Sequence, residues 1–208
     1  MSRLPHATSR VTRPGRAVRL GLLAAAAALA VSGCTGGAIG ADSPANNGQS
    51  FVSGSSGTTL FQAGHGPAVP AVSGPLVGGG RLSLAAYRSH VVVLNFWGSW
   101  CTPCREEAPS LAQLARQYGR SGVRFLGIDI RDSPATAEAF TSDFRISYPS
   151  LNDPSDNLAL DFRDTVPPAG IPTTLVISRS GRITARVIGG VTYDGLKSLI
   201  QRAVAEPG

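Results

Sequence analysis

Cysteine, methionine and charged side chains are all scarce in this sequence. Its 208 residues include three cysteines, one methionine at position 1, and only 15% Asp, Glu, Lys and Arg together. So few cysteines cannot build a structural disulfide framework, and the lack of methionine argues against a site that delivers Cu(I). The length allows one ordinary domain with flanking segments, so we expect a single hydrophobic core.

Acidic residues are absent from the first 33 positions, although five of the 19 Lys and Arg residues lie there. Without that segment, 14 basic side chains stand against 13 acidic ones, and the net charge falls from +6 to +1. A domain so close to neutral lacks the basic surface that a phosphate backbone requires. The charge pattern therefore argues against a nucleic-acid partner.

The N-terminal segment also lacks an apolar run long enough to cross a bilayer as a helix, which takes ~20 residues. Its apolar stretch, Leu20–Val31, has 12 residues. An Arg-rich start, this stretch and small residues before Cys34 predict that residues 1–33 are an export signal. Residues 31–34 resemble a bacterial lipobox, which implies lipidation of Cys34 and anchoring at the extracytoplasmic face of the cell membrane. Ordinary signal cleavage beside an incidental cysteine is the alternative.

Residues 34–66 are poor in large apolar side chains and rich in Gly, Ser, Ala, Asn, Pro and Thr, with Asp42 as the only charged residue. Such a segment cannot bury enough surface to order itself. We therefore expect a flexible tether there, with a reach of roughly 30 Å. A folded domain is expected over residues 67–208.

The start of this domain reads as a hairpin followed by a buried strand. Val72–Val77 and Arg81–Leu84 flank three glycines, which predicts a hairpin with a glycine turn. Val91–Trp97 is too continuously apolar for a half-exposed strand and belongs in the middle of a sheet. An amphipathic helix then leads to a second buried strand, Val123–Ile130, so this pair must be parallel.

The C-terminal half alternates helices with a further hairpin. Ser133-Pro134 opens a helix, and the remaining predicted elements are a short helix at Asp156–Phe162, a hairpin of Thr173–Ile177 with Ile183–Ile188, and a last amphipathic helix at Tyr193–Ala205. The expected fold class is α/β, with a central mixed β-sheet flanked by helices and an N-terminal β-hairpin extension.

Cys101 and Cys104 lie where the first buried strand ends and the helix begins. A helix start presents unpaired N–H groups and the positive end of the helix dipole, which favour a thiolate at Cys101. Comparable sites lower the pKa of cysteine from about 8.5 to between roughly 3.5 and 7.5. Two intervening residues keep Cys104 on the same turn, where it can resolve a mixed disulfide. We predict a redox-active Cys101–Cys104 disulfide.

A pair of cysteines with this spacing also supplies half of a tetrahedral zinc site, which needs two further ligands. His6 lies in the predicted signal, His65 in the predicted tether, and His90 before the strand that leads to Cys101, at its far end. These positions favour redox use of the cysteines. We expect neither a metal nor another cofactor.

Residues 95–107, with the sequence NFWGSWCTPCREE, resemble the active-site region of the thioredoxin superfamily. The match within it is to the TlpA/ResA group of membrane-tethered extracytoplasmic thiol-disulfide oxidoreductases, and the resemblance covers about residues 67–205. Gly170–Thr174 is similar to the loop that carries the cis-proline of this family. The resemblance implies a thioredoxin-like fold, with a cis Ile171–Pro172 bond against the cysteine pair.

The cis-proline loop and a tryptophan are the expected substrate contacts. Because Pro172 cannot donate a hydrogen bond, a cis turn would leave the backbone of Ile171 free to pair with an extended peptide. We take Pro172 as a catalytic residue by the resemblance, with Ile171, Thr173 and Trp100 as substrate-binding residues.

Glu107 is the fourth expected catalytic residue, beside Cys101, Cys104 and Pro172. It matches a glutamate that the ResA-like group places in its active-site cavity, and it follows Cys104 by three residues on the same side of the helix. Asn95 stands where cytoplasmic thioredoxins carry a buried aspartate, and it cannot take a proton. Glu107 could therefore accept the proton of Cys104, although a solvent-facing acid in the first turns of a helix is the alternative.

The resemblance implies a reductase of protein disulfides, such as those of apocytochrome c during cytochrome c maturation. A membrane electron donor of the CcdA/DsbD type would then re-reduce the protein. Three alternatives remain: an oxidant that donates its disulfide to secreted proteins, a binding module for metal or haem assembly, and a peroxidase. The last is disfavoured because peroxiredoxins carry Pro-x-x-x-Thr-x-x-Cys, and neither cysteine here has Thr or Ser three residues before it.

Overall fold

The structure is a computed structural model that describes residues 51–53, 57–167 and 170–207. The export signal over residues 1–33, the lipidation of Cys34 and most of the tether fall outside the described residues, so they stay predictions. Within the described residues, no helix is both long and apolar enough to span a bilayer.

The elements of the described residues follow the chain in this order. The strands are β1 Phe51–Ser53, β2 Thr58–Phe61, β3 Ser73–Pro75, β4 Arg81–Ser83, β5 Val91–Trp97, β6 Val123–Ile130, β7 Ser150–Asp153, β8 Thr173–Ile177 and β9 Ile183–Ile188. The α-helices are α1 Thr102–Tyr118, α2 Pro134–Asp143, α3 Asn157–Leu160 and α4 Tyr193–Ala205. Two short 3-10 helices cover Leu84–Tyr87 and Gly119–Ser121.

Seven strands form one mixed sheet in the order β1-β2-β9-β8-β5-β6-β7. Strand β5 is parallel to β6, and β6 is parallel to β7, whereas β8 runs antiparallel to both β5 and β9. Strands β3 and β4 form a separate antiparallel hairpin around the three glycines. The mixed sheet, its parallel central pair and the N-terminal hairpin are confirmed.

Strand β5 is buried along its whole length and separates two parts of the core. On one face, Leu94 and Phe96 pack with apolar side chains that include Phe162. On the other face, Val91 and Val93 pack against α1 and α4. Fully burying an aliphatic or aromatic side chain stabilises a fold by roughly 1.5–3 kcal/mol, so this strand is the anchor for the loop that follows it.

Strands β1 and β2 correct the predicted extent of the tether. The prediction of a flexible segment up to residue 66 is wrong from β2 onward, because β2 pairs antiparallel with β9 and Phe61 is buried. The glycines that suggested disorder allow close backbone approach instead. A Cβ at Gly57 would lie 2.3 Å from the carbonyl oxygen of Ile188, whose N–H donates to the Gly57 carbonyl at 3.0 Å.

Strand β7 is a second element that the sequence pattern does not indicate. Three of its four residues are polar, yet all four are buried. Polar groups can be buried when they are hydrogen-bonded. Asn152 donates to the Asp129 carboxylate on β6 at 2.8 Å, which explains how a sequence that resembles a turn forms a buried strand at the edge of the sheet.

We predict that Gly127→Ala destabilises the protein, because β6 passes Trp97 and Ser150 too closely for a side chain. The new Cβ would lie 2.2 Å from Ser150 Oγ and 2.6 Å from Trp97 Nε1. Overpacking of this kind costs about 1–3 kcal/mol, measurable by urea denaturation. Adding Ser150→Gly should restore part of the loss. Equal stability of Gly127→Ala and the unmodified protein would contradict the described packing.

Candidate redox site

The cysteine pair occupies the junction between the central strand and the first helix. Cys101 is the N-cap of α1, and its sulfur accepts a hydrogen bond from the Cys104 N–H at 3.3 Å. The two sulfurs form a disulfide, with the Cα atoms 5.3 Å apart. Pro103 fits the first turn because an N–H there has no helical acceptor. The predicted disulfide and its position at a helix start are confirmed.

The two sulfurs differ in their access to solvent. Cys101 is 5% exposed and lines a cleft of about 440 Å³, whereas Cys104 is 1% exposed and is not among the residues that line it. The other lining residues are Trp100, Thr102, Pro103, Ile130, Arg131 and Ile171. A partner that enters this cleft therefore meets Cys101 first.

The loop before β8 borders the same cleft. The Ile171–Pro172 peptide bond is cis, as the resemblance implies. The side chain of Ile171 packs against the cluster that contains both cysteines. The Pro172 carbonyl accepts from the Gly189 N–H at 2.8 Å, while the main chain of Ile171 has no hydrogen-bond partner within the described residues. The role of Ile171 as a substrate contact stays a prediction.

The two other expected substrate contacts have different outcomes. Trp100 is 52% exposed at the edge of the cleft, and its indole N–H donates to the Ile130 carbonyl at 3.3 Å. Thr173 exposes no surface, and its hydroxyl donates to the Gly170 carbonyl. The expectation that Thr173 contacts substrate is therefore wrong in this structure. As the first residue of β8, it is paired with Phe96 and Ile188 on both sides, and it fixes the loop instead.

Glu107 lies inside the protein, with 3% of its surface exposed, while its neighbour Glu106 is exposed. One carboxylate oxygen accepts from Asn95 Nδ2 and the other from the Val191 N–H, both at 2.8 Å. Asn95 also donates to Thr174 Oγ1 at 3.1 Å. The alternative of a solvent-facing acid is excluded, and the role of Glu107 as proton acceptor for Cys104 stays a prediction.

Burial raises the pKa of Glu107 to about 7, against the opposing effect of the hydrogen bonds from Val191 and Asn95. A carboxyl group with a pKa near neutrality can accept a proton and return it at physiological pH. The asparagine beside it suits both states, because an amide can rotate to present either a donor or an acceptor. Glu107 therefore has the proton affinity that the resolving step requires.

Sequence reasoning missed a second group of buried acids, at the carboxyl end of β6. Asp129 is fully buried and Asp132 is 5% exposed. Asp132 accepts from the N–H and the hydroxyl of Ser99, at 2.6 and 2.7 Å. The available signal was one aspartate near the end of a strand parallel to β5 and a second aspartate just after that strand, since parallel strands end at the same edge of a sheet.

The two described histidines, His65 and His90, do not line this cleft. His90 precedes β5, and its Nδ1 lies 3.0 Å from the Arg88 carbonyl oxygen. In the part of the chain that the structure describes, no group of three or more His, Cys, Asp or Glu side chains could hold a metal ion.

A disulfide at the start of a helix, beside a cis-proline loop and on a mixed sheet, defines a thioredoxin-like protein. Residues 65–186 match the AhpC/TSA family, and the chain belongs to that family. A solved DsbF homologue from Corynebacterium diphtheriae is similar, with 32% identity and a TM-score of 0.67 over 74% of this chain and 98% of that one.

Two curated relatives agree with the resemblance to the TlpA/ResA group. The thiol:disulfide interchange protein HelX of Rhodobacter capsulatus is 34% identical over 55% of this chain and 61% of its own length. The thiol-disulfide oxidoreductase ResA of Bacillus subtilis is 31% identical over 55% of this chain and 62% of its own length. The chain thus covers less than two thirds of either relative.

We predict that Asn95→Asp raises the pKa of Glu107 further above its ordinary range. A second carboxyl group would stand at the position of the 2.8 Å amide contact, and two such groups cannot both ionise easily. The carboxyl titration can be followed by ¹³C NMR. The exposed neighbour provides a matched control, since Glu106→Gln should leave the titration unchanged. An unaltered Glu107 titration in Asn95→Asp would contradict the described contact.

Proposed function

We propose that this protein is a thiol-disulfide oxidoreductase that exchanges its Cys101–Cys104 disulfide with thiols of other proteins. The main observation in support of this function is that Cys101 lies at the N-terminus of α1 and lines the cleft, whereas Cys104 is more deeply buried and does not line it. An accessible nucleophile and a shielded resolving cysteine are what stepwise exchange requires.

The first step forms a mixed disulfide. In the reduced protein the Cys101 thiolate attacks one sulfur of a substrate disulfide, and the substrate S–S bond breaks as the new S–S bond forms. The other substrate sulfur leaves as a thiolate and takes a proton from water. The N–H groups at the start of α1 stabilise the attacking thiolate.

The second step releases the substrate. The Cys104 thiol gives its proton to Glu107 and attacks the Cys101 sulfur, which closes the Cys101–Cys104 disulfide. The second substrate sulfur leaves as a thiolate and takes a proton from water, and Glu107 returns its proton to Cys104 when the protein disulfide is next reduced. Two electrons have then moved from the protein dithiol to the substrate disulfide. The near-neutral pKa of Glu107 and its position three residues after Cys104 support this assignment.

The finer proposal is a reductase at the extracytoplasmic face of the cell membrane, anchored through Cys34. The substrate would be a disulfide-bonded protein such as apocytochrome c, and a membrane donor of the CcdA/DsbD type would restore the dithiol. The lipobox-like segment, the predicted export signal and the similarity to ResA and HelX support this proposal.

The structure argues against a peroxidase despite the name of the family. A threonine would be needed at position 98, three residues before Cys101. A Cβ there would lie 2.8 Å from Trp100 Nε1 and 3.2 Å from the Ile130 carbonyl oxygen. A residue larger than glycine at position 98 would displace Trp100. The loop before Cys101 therefore has no room for the threonine of a peroxidase site.

We predict that Cys104→Ala traps substrates covalently, because the mixed disulfide on Cys101 then has no resolving thiol. The experiment expresses the full chain and separates membrane extracts on non-reducing gels. Covalent complexes should disappear when Cys101→Ala is added as the matched control. Trapping that persists without Cys101, or no trapping in Cys104→Ala, would contradict the exchange mechanism. Apocytochrome c among the captured proteins would support the finer proposal.

We also predict a reduction potential below that of protein disulfide isomerase, which is about −180 mV. A low potential makes the dithiol a reductant, and each 30 mV corresponds to about 1.4 kcal/mol for this couple. Equilibration with glutathione buffers measures it. A potential well above that value would assign the protein as an oxidant of secreted proteins, with the same two cysteines. A cysteine pair that fails to equilibrate would favour a binding module.

A further inference from the structure

The loop between β5 and α1 is held at one residue, Ser99, from two sides. Its N–H donates to Asp132 Oδ2 at 2.6 Å and its hydroxyl donates to Asp132 Oδ1 at 2.7 Å. Its carbonyl accepts from Arg105 Nη1 at 3.3 Å. Ser99 thus uses all of its main-chain and side-chain polar groups, two residues before Cys101.

The Ser99 contacts set the path of the chain into the cysteine pair. The Cys101 N–H donates to the Gly98 carbonyl at 3.1 Å, so residues 98–101 form a turn with Ser99 inside it. Trp100 in the same turn is half exposed, and its indole N–H donates to the Ile130 carbonyl. Besides the Cys101–Cys104 disulfide, the two bonds from Ser99 to Asp132 are the shortest hydrogen bonds that the described residues give this turn, and both involve a carboxylate.

Asp132 is itself backed by buried polar groups. Its carbonyl accepts from Asn152 Nδ2 at 3.4 Å, and the same amide nitrogen donates to Asp129 Oδ2 at 2.8 Å. The other oxygen of Asp129, Oδ1, is buried and has no donor to accept from. An unsatisfied buried acceptor is costly, whereas a proton on that oxygen would turn it into a donor.

The charge around Asp129 favours that proton. Burial raises the pKa of Asp129 to about 8, and so do the hydrogen bond that protonated Asp129 can make to Asp132 and the negative charges of Asp132 and Asp153, against the opposing effect of the hydrogen bond from Asn152. Of the nearby cations, Arg105 contacts Ser99 on the other side of the loop, and the exposed Arg131 pairs with Asp156. At neutral pH Asp129 is thus mostly protonated and can donate to the Asp132 carboxylate.

We propose that Asp132 is a positioning residue of the redox site, which fixes the Ser99 turn ahead of Cys101, and that Asp129 holds Asp132 in place by sharing a proton with it. The part of this inference that concerns catalysis rests on the proposed function. The contacts among Ser99, Asp132 and Asp129 do not depend on it. When Asp129 loses its proton, adjacent carboxylates repel each other and the turn loosens.

The test measures amide hydrogen exchange of Ser99 by NMR in the oxidised full chain from about pH 6 to about pH 9, on both sides of the Asp129 transition. Protection is expressed relative to an unstructured amide. We expect it to fall about tenfold or more above about pH 8, since a hydrogen bond to a charged group is being lost. Asp129→Asn, which keeps a neutral donor at this position, should abolish that fall. The exposed Asp143→Asn is the matched control and should behave as the unmodified protein.

A second pair of variants separates positioning from general stability. Asp132→Asn should lower Ser99 protection at every pH, and Ser99→Ala should keep the amide bond while losing the hydroxyl bond. In both, the rate at which reduced Cys101 attacks oxidised glutathione should fall, with a changed pH profile for Asp132→Asn. If Asp132→Asn does not fold, Asp129→Asn and Ser99→Ala still decide the question.

The proposal would be overturned by Ser99 protection that is independent of Asp132, or by a pH-dependent fall that survives in Asp129→Asn. Because exchange is read in the oxidised protein, this failure is distinct from a failure of the proposed function. If Cys104→Ala captured no substrate while Ser99 protection still changed with pH as predicted, the proposed function would fail. The Asp129–Asp132–Ser99 contact would still stand.

Discussion

The interaction on which the site depends is between the Cys101 sulfur and the first turn of α1. The sulfur caps the helix by accepting from the Cys104 N–H, and it faces the cleft. Unpaired N–H groups at a helix start favour a negative charge, which is what a reacting thiolate carries. This position exists because β5 is buried on both faces and delivers the chain to the helix at a fixed point. Strand β5 thus forms the centre of the hydrophobic core and also positions the cysteine pair.

Two buried acids near the start of α1 have a raised pKa for the same physical reason. Glu107 on α1 and Asp129 on β6 both have a raised pKa, and burial is the largest cause for each. Their surroundings differ, since Glu107 accepts two hydrogen bonds while one oxygen of Asp129 accepts none. We interpret the first as a group that exchanges a proton with Cys104 and the second as a group that keeps its proton to support the loop.

Much of the fold and of the redox site can be predicted from the sequence. The segments that form β5 and β6 are rich in apolar residues, and the cysteine spacing and the cis-proline motif are short and local. Strand β7 escaped prediction because its polar residues are buried through partners such as Asp129, distant in sequence. Strand β2 was not predicted because a glycine-rich segment has the composition of a disordered one. Its order comes from pairing with β9, which is distant in sequence. The wrong expectation for Thr173 has the same cause, since a motif does not reveal burial.

The measurement that tests the central claim most directly is the pH dependence of Cys101 alkylation in the reduced protein. Iodoacetamide reacts with the thiolate, so the rate follows the ionisation of the sulfur. If the start of α1 activates Cys101, its alkylation should titrate with a pKa below about 7.5, well apart from that of Cys104. A titration of Cys101 near about 8.5, the ordinary value for cysteine, would contradict the account.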